Sequence, residues 1–486
     1  MTTAPSLRRR VGHPTTPGAV FPPPTTTEEV VRAVADAARR RQRVEVRAGR
    51  RQENPVADPE ARAVIDLSAM TAVAHDPARR AFMVEAGARL TDVYRTLYEG
   101  WGVTLPGGAD ADAVIGGHVT AGGHGALTRS FGLAADHLHA IEVVVVDLFG
   151  HARAVVATRE RNDPHRDLWW AHTGGGGNFG VVTRCWFRSP DATGTDPTTL
   201  LPRPPGTLLS NAVMFPRAGM DRAAFRRLVR NHGLWHERNS GAHSPYAALH
   251  SSLVLSGRHA QKDPGHSAIV STHLDATLPD AHGMLRRYVD DLTAGVAATA
   301  LVSDTTTAPW LTAATAPQDT GSSRHRTKSA YLRRGLTDEQ TDALRTHLDA
   351  AGGSGTLSVT LRSFGGRANT LPTYATAGSH RDSVLDAAFT VTWQDPSVDA
   401  GPLDRLRRLY RDVFASTGGV PVPGEGGSDG CCADHPDTDL ADPAWNTSGV
   451  PWHRLYHKHN YRRLQRVKAK WDPRGMFRQG LGIRPA

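Results

Sequence analysis

Between residues 105 and 133 the chain reads LPGGADADAVIGGHVTAGGHGALTRSFGL, with glycines at 107, 108, 116, 117, 122, 123, 125 and 132. Glycine held rigidly loses more conformational freedom than any other residue, so this density points to backbone at positive φ or lying directly against a ligand. No Lys-Ser/Thr pair follows the glycines, which excludes a Walker loop, and the G-x-G-x-x-G spacing of a dinucleotide-binding helix is missing. Two further glycine turns flank the stretch: Val46-Arg47-Ala48-Gly49-Arg50-Arg51 upstream and Gly174-Gly175-Gly176-Gly177-Asn178-Phe179-Gly180 downstream. Three such turns imply a cradle for a long, multi-part cofactor. The alternative is a loop-rich region in a glycine-rich protein.

The chain has 486 residues, enough for two domains with separate cores. A hydrophobic content of 39% and a charged content of 22% describe a soluble globular protein. No apolar run reaches membrane-spanning length, so no membrane association is expected. The opening MTTAPSLRRRVGHPTTPG lacks the apolar segment of a secretory signal, and Cys185, Cys431 and Cys432 make no disulfide framework. The expectation is a cytoplasmic protein. Its net charge of +9 is carried almost wholly by arginine, with lysine only at 262, 328, 458, 468 and 470. Basic runs are short and lack interleaved aromatics, so no nucleic-acid partner is expected.

In chain order, Thr27, Glu28 and Glu29 start a helix running to about residue 41, followed by a strand at 44–47. Strands at 63–67 and 81–85 precede a helix capped by Thr91, and an apolar strand follows at 141–147. Residues 190–205 are rich in proline and threonine and read as a linker. Beyond it, alternating patterns predict strands at 208–215, 247–255, 267–275, 356–362 and 388–393. Helices are predicted at 284–293, 338–350 and 403–416, with a final helical run at 456–478.

Four segments in order (VEVRAG, LPGG…VIGGHVTAGGHG, DLWWAHTGGGGNFGVVTR and NYRRLQRVKAKWDPRGMFR) resemble the FAD-linked oxidases of the berberine-bridge type, in the vanillyl-alcohol oxidase superfamily. The likeness is strongest to bacterial sugar and alcohol oxidases that tailor natural products. It implies an α+β fold: a two-part FAD-binding domain, and a substrate domain built on an antiparallel sheet covered by helices. The implied boundaries are an N-terminal segment 1–24, an FAD-binding domain 25–190, a substrate-binding domain 191–425, and a segment 426–486 returning to the FAD domain.

In that family the pyrophosphate lies on the first glycine turn, here Arg47, Ala48, Gly49, Arg50, Arg51 and Gln52, an anion-binding nest. Val114, Ile115, Gly116, Gly117, His118, Gly122, Gly123 and Gly125 match positions that pack on the flavin and ribityl chain. Gly174, Gly175, Gly180, Val182 and Asn460 match further contacts. Two covalent tethers are absent. Arg51 stands where the family has a histidine bonded to the flavin 8α-methyl, and Asp110 where it has a cysteine bonded to C6. The FAD is therefore expected to be non-covalent.

The family's catalytic tyrosines are replaced too. The relevant motifs read Ser363-Phe364-Gly365-Gly366, Gly430-Cys431-Cys432-Ala433-Asp434-His435-Pro436-Asp437 and Leu455-Tyr456-His457-Lys458-His459-Asn460-Tyr461. Imidazole titrates near working pH, so His435, His457 and His124 are candidates for proton transfer. Cys432 and Tyr456 share the same motifs, while Tyr331 and Tyr374 are spare phenols; no metal is expected. The expected function is hydride transfer from a bulky secondary metabolite to flavin N5, with a histidine as base and molecular oxygen as final acceptor. The alternatives are a non-redox cyclase, isomerase or eliminase with flavin structural or lost, and a non-catalytic binding protein.

Overall fold

The computed structural model describes residues 19–48, 61–108, 110, 113–258, 265–316, 324–350, 355–478 and 480–486. The helix Thr27–Arg39 shows how local sequence sets the first element. Val30, Ala33, Val34 and Ala37 repeat at helical spacing and are buried. Its cap is Thr26, which accepts from the Glu29 N–H, rather than the expected Thr27. Thr27 instead donates to Glu142 Oε1 at 2.7 Å, tying the helix to a neighbouring strand.

Three parallel strands follow the order Ala19–Val20, Ala61–Asp66, Arg43–Arg47. A five-stranded antiparallel sheet runs Val73–Asp76, Ala81–Glu85, Val181–Phe187, Leu138–Val146, Ala152–Thr158. The strand Leu138–Val146 is buried along nearly its whole length, as its continuous apolar run requires. One hydrophobic core gathers these elements, and Leu464, Val467, Trp471 and Phe477 near the C-terminus belong to it. Leu200 and Leu201, inside the expected linker, are buried in the same core, so that segment is anchored rather than free.

A second core forms on an eight-stranded antiparallel sheet. Along Thr356–Ser363, Leu357, Val359 and Leu361 are buried while Ser358, Thr360 and Arg362 are only half-buried. The buried face packs on the helices Arg222–Asn239, Ala281–Thr293, Asp338–Asp349 and Ala400–Val413 through Leu228, Tyr288, Leu344 and Leu409. The opposite face carries Ser252, Ser271, His273, Thr360 and Arg362. Alternation along a strand thus separates an apolar helix-covered face from a polar one.

Among the elements that sequence patterning misses, two belong to the second core. The helix Arg222–Asn239 has histidines and a glycine on its buried side, which blurs its apolar stripe. The strand Arg324–Leu332 opens with basic residues, yet Lys328 is buried because Asp437 and Asp439 each meet its Nζ at 2.6 Å. The expected single C-terminal helix is broken into Trp452–His457 and Tyr461–Trp471 at Lys458, whose φ is 47°. Among the described residues no helix is long and apolar enough to cross a membrane.

Lys468 and Asp472 are fully buried one helical turn apart, 2.6 Å between Nζ and Oδ2. Lys468 also donates to the carbonyls of Asn178 and Phe477, and Asp472 accepts from the N–H groups of Met476 and Phe477. The pair therefore locks the C-terminal segment against the 174–180 glycine turn. Lys468→Ala should leave an unpaired buried carboxylate and destabilise the fold by about 3–5 kcal/mol. A denaturant titration of both proteins checks this.

Candidate functional site

The glycine turns of the first core meet Tyr331 of the large sheet and the loops beside it at a cleft. Ala121, Gly122, Gly123, His124, Leu133 and Gly174 line one side. Tyr331, Phe364, Gly378, His380, Ala433 and Tyr456 line the other.

The glycines divide by what a side chain there would meet. A Cβ at Gly125 would collide with the Gly107 carbonyl, at Gly174 with the Gly378 N–H, and at Gly175 with the Ala171 carbonyl. At Gly116 and Gly123 it would stand 2.9 Å from the Ala86 carbonyl and from the His118 ring, and at Gly180 2.5 Å from the Val144 carbonyl. These six are glycine because chain packs on chain. At Gly117 and Gly177 nothing lies within 4 Å, and at Gly122, φ 113°, the one neighbour is a Leu133 methyl at 3.9 Å. Side chains there would enter open space.

The remaining expected cofactor contacts support this framework. His118 accepts from the Gly108 N–H at 3.0 Å, Tyr94 donates to the Gly108 carbonyl at 2.7 Å, and burial pushes the His118 imidazole down to about 3. It is a neutral pin for the loop. Asn460 donates to the carbonyls of Thr373, Thr376 and Ala377, holding the segment that crosses Gly174. Ile115 and Val182 are buried in the first core, and Val114 bridges to Arg89. The Arg47 guanidinium lies 2.8 Å from Glu45, and Ala48 is half-buried in the same core. The Asp110 carbonyl accepts from Ala113. Gly49, Arg50, Arg51 and Gln52 lie outside the described residues.

Of the residues expected to move protons, His124 and Tyr456 line the cleft. The Tyr456 hydroxyl is committed: it donates to the His435 carbonyl at 3.0 Å and accepts from the Asp437 N–H at 2.9 Å, and burial raises it well above a normal phenol. His457 is buried beneath the lining, with its imidazole pushed down to about 3 by burial. Cys432 is buried against Tyr331 and Phe364, its thiol raised well above the usual range by burial. His435 is half-buried and lies close enough to Asp386 to act on it electrostatically. Tyr331 lines the cleft, stacked on His380 with ring centres 4.5 Å apart, and burial raises its hydroxyl strongly. Tyr374 is 65% exposed and away from the cleft.

Three buried residues here were not singled out from sequence. Asp386, on the strand Leu385–Trp393, lies 3.4 Å from His124 and 2.9 Å from Arg362. Asp429 pairs with Lys458 at 2.5 Å, Arg333 at 3.0 Å and His380 at 3.5 Å. His380 Nε2 donates to the Tyr456 carbonyl at 3.1 Å, with Nδ1 on the side of Asp429. A lone carboxylate inside an apolar run, as in LDAAFTV, is the signal that marks Asp386.

Residues 19–147 match the FAD binding domain model and residues 434–484 the berberine and berberine-like model. The aclacinomycin-N/aclacinomycin-A oxidase of Streptomyces galilaeus is 47% identical over 94% of this chain and 83% of its own length. The chain belongs to the berberine-bridge-type FAD-linked oxidoreductases. The solved glycopeptide hexose oxidase DBV29, in complex with teicoplanin, has a TM-score of 0.90 at 45% identity, covering 95% of this chain and 92% of that one. GilR, an oxidoreductase of the terminal step of gilvocarcin biosynthesis, has a TM-score of 0.89 at 36% identity, covering 96% and 94%. These relatives are oxidases and oxidoreductases, which favours redox chemistry over the cyclase alternative. The residues present fit the flavin: Gly122, which lines the cleft, and Gly117 leave open faces on a rigid glycine framework.

Burial pushes the Asp429 carboxyl up, but the hydrogen bond and charge of His380 and the charge of Lys458 hold it well below the usual range. A depressed folded value means stability that is full above the unfolded pKa of about 3.9 and withdrawn as pH falls below it. Asp429→Asn should lower the melting temperature at pH 7 and flatten its fall between about pH 5 and 3. Thermal melts across that range read both effects.

Proposed function

We propose that this FAD-linked oxidoreductase holds its flavin by contacts alone and oxidises a carbinol on a bulky, glycosylated secondary metabolite, with dioxygen as final acceptor. The observation that carries the reading is the cleft itself. Glycine backbone forms one wall, and the other includes Tyr331, whose sheet carries Ser252, Ser271, His273, Thr360 and Arg362 on the same face beyond the cleft lining. Hydroxyls, imidazole and guanidinium in that density suit a polyhydroxylated ligand. The names of two relatives, a glycopeptide hexose oxidase and an aclacinomycin oxidase, agree with such a substrate. Non-covalent attachment rests on Arg51 and Asp110, neither of which forms the family's bonds.

Gly117, Gly122, Gly123 and Gly174 would hold the flavin against the cleft, over the framework braced by His118 and Asn460. Bound FAD supplies the two-electron acceptor for the hydrogen leaving the substrate carbon. The chain's own task is to take the hydroxyl proton. We assign that task to His124, a reading supported by its position in the cleft lining and its pairing with a carboxylate. Tyr331 and Tyr456 are disfavoured as bases by raised pKa values and, for Tyr456, by a committed hydroxyl. Phe364 and Leu133 supply apolar surface that limits water.

Purified protein should be yellow, and acid precipitation should leave the flavin in the supernatant. Flavin retained in the pellet would mean a covalent bond. Incubation with aclacinomycin A and air should yield a product two hydrogens lighter with hydrogen peroxide. In a separate variant, Gly117→Val should keep the wild-type melting temperature of the flavin-stripped protein while lowering flavin content, since its side chain enters open space. Absorbance ratios at the flavin and protein bands measure that content.

A further inference from the structure

His124 and Asp386 arrive at the cleft from different cores. His124 belongs to the central glycine segment, and Asp386 sits in the large sheet with Arg362 and Tyr331 opposite it on the two neighbouring strands. His124 Nε2 lies 3.4 Å from Asp386 Oδ2, and the side chains are 19% and 3% exposed. Arg362 Nη1 donates to the same oxygen of Asp386 at 2.9 Å. Burial pushes the Asp386 carboxyl up, but the charge and hydrogen bond of His124 and the charge of Arg362 keep it ionised. Around the pair stand His118 on the same segment as His124, and Tyr331, His250, Arg362 and His435 from the surrounding elements.

A carboxylate that meets one ring nitrogen of a histidine fixes the proton there and leaves the lone pair on the other. We propose that Asp386 is the positioning residue for His124: it keeps the proton on Nε2, aims Nδ1 as the base, and stabilises the imidazolium that forms. This rests on the oxidase reading above. In the step, the substrate O–H bond breaks and its proton passes to Nδ1. The C–H hydrogen leaves with both its electrons to the FAD that the family's activity supplies, and the C=O bond forms. Arg362 offsets part of the negative charge, which keeps the proton with the imidazole rather than the carboxylate. The Tyr331 and Phe364 rings, steeply inclined to the imidazole with centres 6.0 and 5.6 Å from its own, restrict its rotation.

Two measurements on the holoenzyme test the proposal. Side-chain ¹⁵N–¹H correlation of histidine-labelled protein should show His124 as the Nε2–H tautomer, shifting toward a mixture in Asp386→Asn. An Nδ1–H tautomer in the wild type overturns the assignment without reference to any substrate. With aclacinomycin A as probe, Asp386→Asn should lower kcat by about 10²–10⁴ with KM changed far less. Loss of the negative charge should also move the acid limb of the rate profile to lower pH, and Asp386→Glu should restore part of the rate. A merely structural role would lower the melting temperature without moving that limb. If Asp386→Asn keeps the wild-type rate and limb while His124→Phe is slowed on the same scale, the positioning role is wrong and the oxidase reading stands. If His124→Phe turns over at the wild-type rate, the base is elsewhere and the dyad falls with it.

Discussion

Backbone crossing backbone at glycine is the constraint on which this structure depends. Gly125 packs on Gly107, Gly174 on Gly378, Gly366 on the Arg129 backbone, and Gly430 on the Leu455 carbonyl. Each crossing leaves no room for even a methyl group. Two of them, Gly174 on Gly378 and Gly366 on Arg129, join chain from the first core to loops beside the large sheet. The cleft lies among these crossings, so its walls are backbone held in place rather than side chains free to change rotamer. Such rigidity suits a planar cofactor, because the ordering cost has been met in folding and not at binding.

Charge reinforces the crossings from below. Few lysines occur in this arginine-rich chain, yet Lys328, Lys458 and Lys468 are all buried against aspartates. An ammonium is compact and can satisfy three acceptors in a tight space, as Lys468 does with Asn178, Asp472 and Phe477. Arg381 performs the larger version, forking onto Asp136 at 2.6 and 3.0 Å across 245 residues of sequence. Removing one partner of any of the four strands a charge without solvent. The last segment of the chain is therefore not an appendage: two of the lysines lie on it, one paired with Asp429 and one holding the Asn178 carbonyl.

Much of this architecture is legible in the residues. The glycine clusters, the apolar run of Leu138–Val146 and the alternation of Thr356–Ser363 each state their environment locally. The helix Arg222–Asn239 and the strand Arg324–Leu332 escape because their burial depends on partners far away in sequence, such as Asp437 and Asp439 for Lys328. The same limit applies at the cleft. His124 stands out beside its glycines, but Asp386 is 262 positions onward, as their numbers give, and only the fold brings them together. His457 illustrates the reverse: its motif position attracts notice, while its burial under the lining is a property of packing alone.

The departures from the family pattern have a common physical thread. A phenol serves as base only where its pKa is lowered or its proton leaves in concert. The phenols left at this cleft are pushed the other way: burial raises both Tyr331 and Tyr456. An imidazole needs no such shift, since its unperturbed pKa of about 6.5 already lies near working pH. What it needs instead is a fixed tautomer and a partner for the charge it acquires. On the proposed reading Asp386 meets both needs, and Arg362 keeps that carboxylate from taking the proton itself. On that reading, using the His124 imidazole instead of a phenol moves the electrostatic burden from the proton acceptor to its neighbours, and those neighbours sit on the rigid sheet rather than on a loop.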